Sequence, residues 1–186
     1  MGMLSYSTTV SIDGYVNDAD GDFQWSAPSD PVFDTHVERM AAVSTEVLGR
    51  KTYDLMRYWE TEPDDGFSPA EQEFARRWRK IEKVVVSSTL TPADLVPGRD
   101  RLMPRLNLDE LRRIVDGAAG TVEIFGPTTA APAIRAGMVE EFNFFVVPKV
   151  VGGGLRALPD DLRLEVTLAE HRIFDDGVVY LRYLAH

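Results

Sequence analysis

The sequence predicts a three-layer α/β protein, with a mostly parallel central sheet, helices on both faces and an antiparallel hairpin at the C-terminus. Three observations predict it. Strand-like and helix-like segments alternate along most of the chain, as they do where parallel strands are joined by helical crossovers. Lys83–Ser88 (KVVVSS) carries three consecutive valines, a pattern of burial on both faces that suits a strand inside such a sheet. Two β-rich runs, 162–174 and 178–185, flank Asp175-Asp176-Gly177, a hairpin turn signal.

Length and composition bound the rest. At 186 residues, one domain spanning 1–186 is the natural expectation, large enough to bury a core. A content of 44% hydrophobic and 27% charged residues fits a soluble globular chain. The net charge of −10 argues against a nucleic-acid partner, which needs a basic face. A polyanionic ligand would need a local island of Arg and Lys in that field. With no cysteine, disulfide and thiolate chemistry are excluded. The opening MGMLSYSTTVSIDGY lacks the segments of a signal peptide, and no run approaches a membrane span, so a cytoplasmic protein is expected.

The elements follow in order. Residues 3–12 alternate as a strand, Asp13-Gly14 marks a turn, and 17–22 (NDADGD) reads as a solvated loop. That loop resembles the start of a calcium loop, but its twelfth position falls on Pro28 or Ser29 rather than Glu, so no metal site is read there. Asp30-Pro31 predicts a helix start, with the carboxylate as N-cap and the proline at N1, running to about Val43. Thr45–Leu48 reads as a short strand ending in Gly49-Arg50-Lys51-Thr52-Tyr53, followed by a helix carrying Leu55, Met56 and Trp59. Residues 61–68 form an acidic loop; Ser68 or Pro69 starts a helix to about Lys80 with Phe74 and Trp78 on its buried side. Residues 91–107 read as irregular and Leu108–Ala119 as a helix. Val122–Phe125, an apolar run broken only by Glu123, reads as a buried strand. Gly126-Pro127-Thr128-Thr129 then turns into a helix whose start Pro132 places near Thr128–Ala131, since proline is tolerated in the first turn. Glu141–Val151 is a strand broken at Pro148 and running into Gly152-Gly153-Gly154.

In a parallel sheet, ligands sit beyond the C-terminal ends of the strands. Three turns fall there in register: Gly49-Arg50-Lys51-Thr52, Ser87-Ser88 and Gly126-Pro127-Thr128-Thr129. Each carries small or hydroxyl residues, and a strand–glycine–helix turn presents free backbone N–H groups to a phosphate. Singly, each has a plainer reading: a change of chain direction, a helix cap, a solvated pair of cations. Jointly they form a plausible cradle for a phosphorylated dinucleotide.

These pieces carry a resemblance. Ser11-x-Asp13-Gly14, Trp25-x-x-Pro28-x-Asp30, Leu48-Gly49-Arg50-x-Thr52-Tyr53, Val86-Ser87-Ser88, Phe125-Gly126 and Val147-Pro148 through Gly152-Gly153-Gly154 follow one another in the order and spacing of the dihydrofolate reductase superfamily. The chain is most similar to the branch holding the C-terminal reductase domain of bacterial riboflavin biosynthesis proteins. The resemblance implies a dihydrofolate reductase-like fold and an NADPH-dependent reductase acting on a pterin- or pyrimidine-like heterocycle. It implies that Gly49, Arg50, Lys51, Thr52, Ser87 and Ser88 hold the adenosine 2′-phosphate and neighbouring phosphates, that Gly126, Pro127, Thr128 and Thr129 meet the pyrophosphate, and that Val16 reaches the cofactor from a loop, Asp13 to Trp25, that closes over nicotinamide. Pro127 replaces the second glycine of a Gly-Gly turn whose bond is cis in dihydrofolate reductases; an X–Pro bond adopts cis at a cost of only about 0.5–1 kcal/mol.

The resemblance further implies a substrate pocket containing Trp25 and Asp30, with Asp30 as the catalytic carboxylate. Held among apolar walls it would have a raised pKa and assist protonation of the group that receives hydride. The competing reading, that Asp30 only caps its helix, stays open. The acidic loop and extra helix between Tyr53 and Lys83 depart from folate enzymes, and no motif positions Arg57, Arg76 or Arg77 as the folate-gripping arginine. Riboflavin-pathway reductases usually follow a deaminase domain, which this sequence does not contain, so a stand-alone reductase is expected. A reductase of an unrelated small molecule, or a non-catalytic nucleotide-binding protein, are the alternatives. A homodimer built on the long apolar C-terminal strands is also expected.

Overall fold

The computed structural model describes residues 2–63 and 66–186; Asp64 and Asp65 of the acidic loop lie outside the described residues. Six strands, β1 (Leu4–Ser11), β2 (Val43–Gly49), β3 (Glu82–Val86), β4 (Arg101–Met103), β5 (Thr121–Phe125) and β6 (Glu141–Val147), run parallel. β8 (Val179–Ala185) adds antiparallel to β6, and β7 (Val166–Ile173) antiparallel to β8. The order across the sheet is β4-β3-β2-β5-β1-β6-β8-β7. The turn Asp175-Asp176-Gly177 closes the hairpin: Gly177 sits at φ 85, which only glycine adopts without strain, and Asp176 accepts the Val178 amide.

Two apolar layers cover the sheet. On one face Leu4, Tyr6, Val47, Val84, Val122 and Ile124 meet Leu111, Ile114 and Val115 of α4 (Leu108–Gly117) and Ala130, Ala133 and Ile134 of α5 (Pro127–Arg135). On the other, Leu48 and Val85 meet Val37 and Met40 of α1 (Asp30–Met40) and Phe74 and Trp78 of α3 (Pro69–Trp78). α2 (Arg50–Met56) leaves β2 directly and sends Tyr53 into the second layer. The valines of β3 behave as their run requires: Val84 and Val85 are fully buried on opposite faces. α3 begins with a capping box in which Ser68 and Glu71 satisfy each other's backbone amides.

Four local expectations are corrected. β4 lies inside the stretch read as irregular; three residues at the sheet edge are too few to show a period. α1 ends at Met40, because Val43 already belongs to β2. Ser29, not Asp30, occupies the N-cap position of α1, and Asp30 is its first helical residue. α5 starts at Pro127, so Pro132 lies in its second turn, where its exposed ring is accommodated and Gly126 still bonds the Ala130 amide.

Candidate functional site

The parallel strands bring their C-terminal ends to one edge. Leu48 of β2 pairs with Phe125 of β5, so Gly49 and Gly126 leave the sheet side by side. Each is the N-cap of a helix, and neither helix end is capped by a side chain. The two turns interlock. A Cβ on Gly49 would lie 2.7 Å from Thr129 Oγ1, and one on Gly126 would lie 3.2 Å from Thr52 Oγ1. Gly126 also holds φ at 92. These glycines therefore let two helix N-termini approach with their first-turn N–H groups facing the same edge, an arrangement that attracts anionic oxygen. Among the described residues there is no cis peptide bond, so the Gly126–Pro127 bond is trans and the positive φ of Gly126, not an isomerised proline, makes the turn.

Arg50 and Lys51 are exposed at the start of α2 beside this edge, and Thr128 is exposed at the start of α5. Ser87 and Ser88 lie one strand further out. Ser87 is buried, and its hydroxyl oxygen accepts the amides of Thr89 and Leu90, so it caps its own turn. Ser88 is exposed. The donor set fits a phosphate-bearing ligand: paired glycine turns, free helix N-termini, hydroxyls of Thr52, Thr128 and Ser88, and two cations.

Trp25 and Asp30 flank the same edge on the α1 side. Trp25 sits in a short 3-10 turn, half-buried against the apolar cluster of Val32, Phe145, Val147, Val178 and Tyr180, and its indole N–H donates to the Asp22 carbonyl at 3.0 Å. Asp30 is exposed rather than enclosed by apolar walls. The Ser29 hydroxyl at the start of α1, and then the Val178 amide, hold the Asp176 carboxyl of the C-terminal hairpin below its ordinary value. Arg76 and Arg77 are both paired with Glu73, which their guanidinium groups hold down at about 2, so neither is a spare cation for an acidic substrate.

Val16 belongs to a segment pinned across the sheet edge. Its amide donates to Leu155 at 2.8 Å, and the amide of Ala157 donates to Gly14 at 3.0 Å. Tyr15 and Arg156 form an isolated antiparallel bridge, the guanidinium lying 5.0 Å from the ring centre. Under this bridge a pocket of about 370 Å³ opens onto α5, between Pro127, Thr128, Ala131 and Arg135 on one side and Leu155, Arg156 and Leu158 on the other. A polar groove of about 480 Å³ lies at the opposite edge, between the starts of β2, β3 and β4 and helix α4; it is remote from every turn discussed above.

Two features escaped the motifs. Asp13, read as a turn residue, is a hub: its carboxylate accepts the amides of Val151 and Gly152 at 3.2 and 2.7 Å. The second is a row of charge under α1 and α3. Lys83, Glu46 and Glu123 are in register on β3, β2 and β5, and all are buried. Arg39 of α1 reaches down to Glu123 at 2.6 Å and to the Ser7 hydroxyl at 2.9 Å. Lys83 donates to the carbonyls of Trp78 and Ile81 and lies over the Trp78 ring; burial lowers it to about 8. The signal was present as a charged residue, Glu46, Lys83 or Glu123, within each of the three strand segments. His36 stacks on Phe145 with centroids 4.0 Å apart, and burial pushes it down to about 3, so it is neutral.

An α/β sheet of this order, with its antiparallel hairpin and paired glycine turns, has the dihydrofolate reductase-like fold. The RibD C-terminal domain profile matches residues 3–180, so the chain belongs to that family. Among solved structures, RibD of Acinetobacter baumannii superposes with a TM-score of 0.74 at 14% identity, covering 100% of this chain and 58% of that one. A pyrimidine reductase-like protein from Corynebacterium diphtheriae gives 0.68 at 13% identity, covering 99% and 92%. Dihydrofolate reductase from Enterococcus faecalis, complexed with NADP(H), gives 0.62 at 16% identity, covering 99% and 96%. No curated protein sequence matches the chain. Among the described residues, no helix is long and apolar enough to cross a membrane.

Proposed function

We propose that this chain is a cytoplasmic, single-domain, NADPH-dependent reductase of a pterin- or pyrimidine-like heterocycle. The observation that carries the reading is the interlocked pair Gly49–Thr129 and Gly126–Thr52, which sets two uncapped helix N-termini on one edge with Arg50 and Lys51 beside them. Gly49, Thr52, Gly126, Pro127, Thr128 and Thr129 would take the bridging phosphates; Arg50, Lys51 and Ser88 the 2′-phosphate, with Ser87 shaping that turn; Val16 would lie against the nicotinamide side. Bound there, NADPH would supply hydride to an electron-poor C=N or C=O carbon. Asp30, at the first position of α1, would hold or deliver the proton at the neighbouring heteroatom, with Trp25 as a wall of the substrate site. The exposure of Asp30 favours one second reading, a reductase of the same cofactor whose small substrate is unrelated to pterins.

Quenching of tryptophan fluorescence by NADPH and NADH tests this directly. The reading expects saturable quenching with NADPH bound more tightly; equal affinities, or no binding of either, count against it. A screen of dihydropterins, pyrimidine ribitol precursors and simple quinones for NADPH oxidation then separates the two substrate readings.

The proposal includes a homodimer. On the sheet face that carries α4 and α5, at its far edge, Val166 and Leu168 of β7 pair with Ala185 and Tyr183 and are 39% and 46% exposed, while Ile173 is 75% exposed. β7 is the last strand of the sheet, so its outer backbone edge is also unpaired. Sedimentation of a monomer at micromolar concentration would remove this part.

A further inference from the structure

We propose that Asp13 is a positioning residue that clips segment 12–17 to segment 149–157 and so sets how long the pocket over α5 stays roofed. Its ligand rests on the cofactor reading above. The clip is built from the end of β1 outward. The Ile12 amide donates to Lys149 at 2.7 Å, and the Tyr15 amide to the Ser11 hydroxyl at 3.0 Å. The Asp13 carboxylate uses both oxygens on one glycine-rich turn, accepting from Val151 with Oδ1 and from Gly152 with Oδ2. The neighbouring Ser11 hydroxyl, ahead of the two amides, lowers the pKa of this carboxylate. Asp13 is therefore ionised across the neutral range, and its bonds to the amides are charge-assisted.

The far end of the segment is pinned separately. Asn17 Oδ1 accepts the Leu155 amide at 2.8 Å. Gly154, at φ 127, passes so close that any Cβ would collide with the Asn17 carbonyl oxygen. Between these pins the Val16–Leu155 and Ala157–Gly14 bonds form a two-strand clasp, with Tyr15 and Arg156 on its pocket side. The Tyr6 hydroxyl, buried at the centre of β1, donates to Ala157 at 2.7 Å and anchors the clasp to the core. Most bonds of the clasp are backbone bonds that water can replace; Asp13, Asn17, Ser11 and Tyr6 supply the side-chain bonds, and of these only Asp13 carries a charge. Opening requires the Asp13 carboxylate to release two amides at once. Residues 149–154 contain three glycines and little buried apolar surface, so without those bonds they have little else to order them. With the roof loosened, the wall formed by Tyr15, Leu155 and Arg156 separates from Thr128 and Ala131, and a bound ligand leaves faster.

The test compares Asp13→Ala and Asp13→Asn with the unaltered chain. Asp116→Ala serves as control, because Asp116 is an exposed carboxylate at the end of α4, on the opposite edge of the sheet. Amide hydrogen exchange on the ligand-free protein should accelerate by about tenfold or more at Val16, Val151, Gly152 and Leu155 in Asp13→Ala, while Phe142 and Phe145 of β6 stay protected. Asp13→Asn, whose amide retains one acceptor oxygen, should fall between. NADPH release, followed by stopped-flow fluorescence, should quicken by roughly the same order in Asp13→Ala, with the association rate little changed. The control should change neither. Unchanged exchange at Val151 and Gly152 would overturn the clip. Faster exchange with unaltered NADPH release would overturn its positioning role. If the unaltered chain binds no NADPH, the cofactor reading fails, and the exchange measurement alone decides the clip.

Discussion

Glu46 and Glu123 stand opposite each other on neighbouring parallel strands, and both are buried. Arg39 pairs with Glu123 at 2.6 Å, which fixes the charge there. Among the described residues, Glu46 Oε2 has no hydrogen-bond partner. Burial, and then the charge on Glu123, push Glu46 up to about 8, against the opposing pull of Lys83 and Arg39. Two adjacent buried carboxylates cannot both ionise cheaply, so Glu46 keeps its proton.

A pH-dependent stability follows. In the unfolded chain Glu46 titrates near an ordinary value of about 4.3. Its folded value is higher, so the folded chain binds the extra proton. The stabilisation is complete below the unfolded value and is lost as pH rises to about 8. Lys83, lowered to about 8, acts in the next window up and with opposite sign. Glu46→Gln, neutral at every pH, should gain melting temperature over the unaltered chain between about pH 5 and pH 8, by a few degrees or more at the upper end. A constant difference across that range would show that Glu46 is ionised.

Gly126→Ala should cost about 1–2 kcal/mol, because its φ of 92 is strained for any residue with a Cβ. That is roughly 2–8 °C of melting temperature for a chain of this size. Gly49 has an ordinary φ of −78, but its Cβ would press on Thr129. Gly49→Ala should therefore weaken NADPH binding with a smaller loss of melting temperature. Equal thermal losses with intact binding would mean that the two turns are only structural.

Arg50→Glu should weaken NADPH far more than NADH. A charge-assisted phosphate bond is worth about 1.5–3 kcal/mol, so the preference for NADPH should fall on the order of 10- to 100-fold. Parallel loss for both cofactors, read by fluorescence titration, would place the 2′-phosphate elsewhere.

Asp30→Asn should leave the fold and NADPH affinity intact, since Ser29 holds the cap position and the cradle lies on other strands. As a proton donor its loss should lower turnover by roughly 10²–10⁴ and remove the carboxyl limb of the pH profile. As a mere first-turn acid near the helix N-terminus, Asp30 would contribute about 0.3–1 kcal/mol to stability and nothing to rate. Turnover and melting temperature of the Asn and Ala variants separate the two.

Much of this site was legible because it is made of turn chemistry. Glycine, proline and hydroxyl residues at strand ends are local signals, and Gly49, Ser87-Ser88 and Gly126 fall on the predicted edge. The bond geometry at Pro127 was not legible, since either isomer satisfies the local sequence. Nor was the exposure of Asp30, because Trp25-x-x-Pro28-x-Asp30 states a spacing and not what covers it.

The sequence by itself determined the alternation of strands and helices, the double-faced burial of Val84 and Val85, and the hairpin at Asp175-Asp176-Gly177. Each follows from interactions within a few residues, through side-chain period, capping and backbone freedom. Only the tertiary structure decided which distant residues meet. Gly49 rests on Thr129, Asp13 holds the turn at Val151 and Gly152, and burial, together with the charge on Glu123, keeps Glu46 protonated. Those outcomes depend on strand order and register across the sheet. A carboxylate's charge state and a glycine's necessity are set by neighbours that the chain meets only after it has folded.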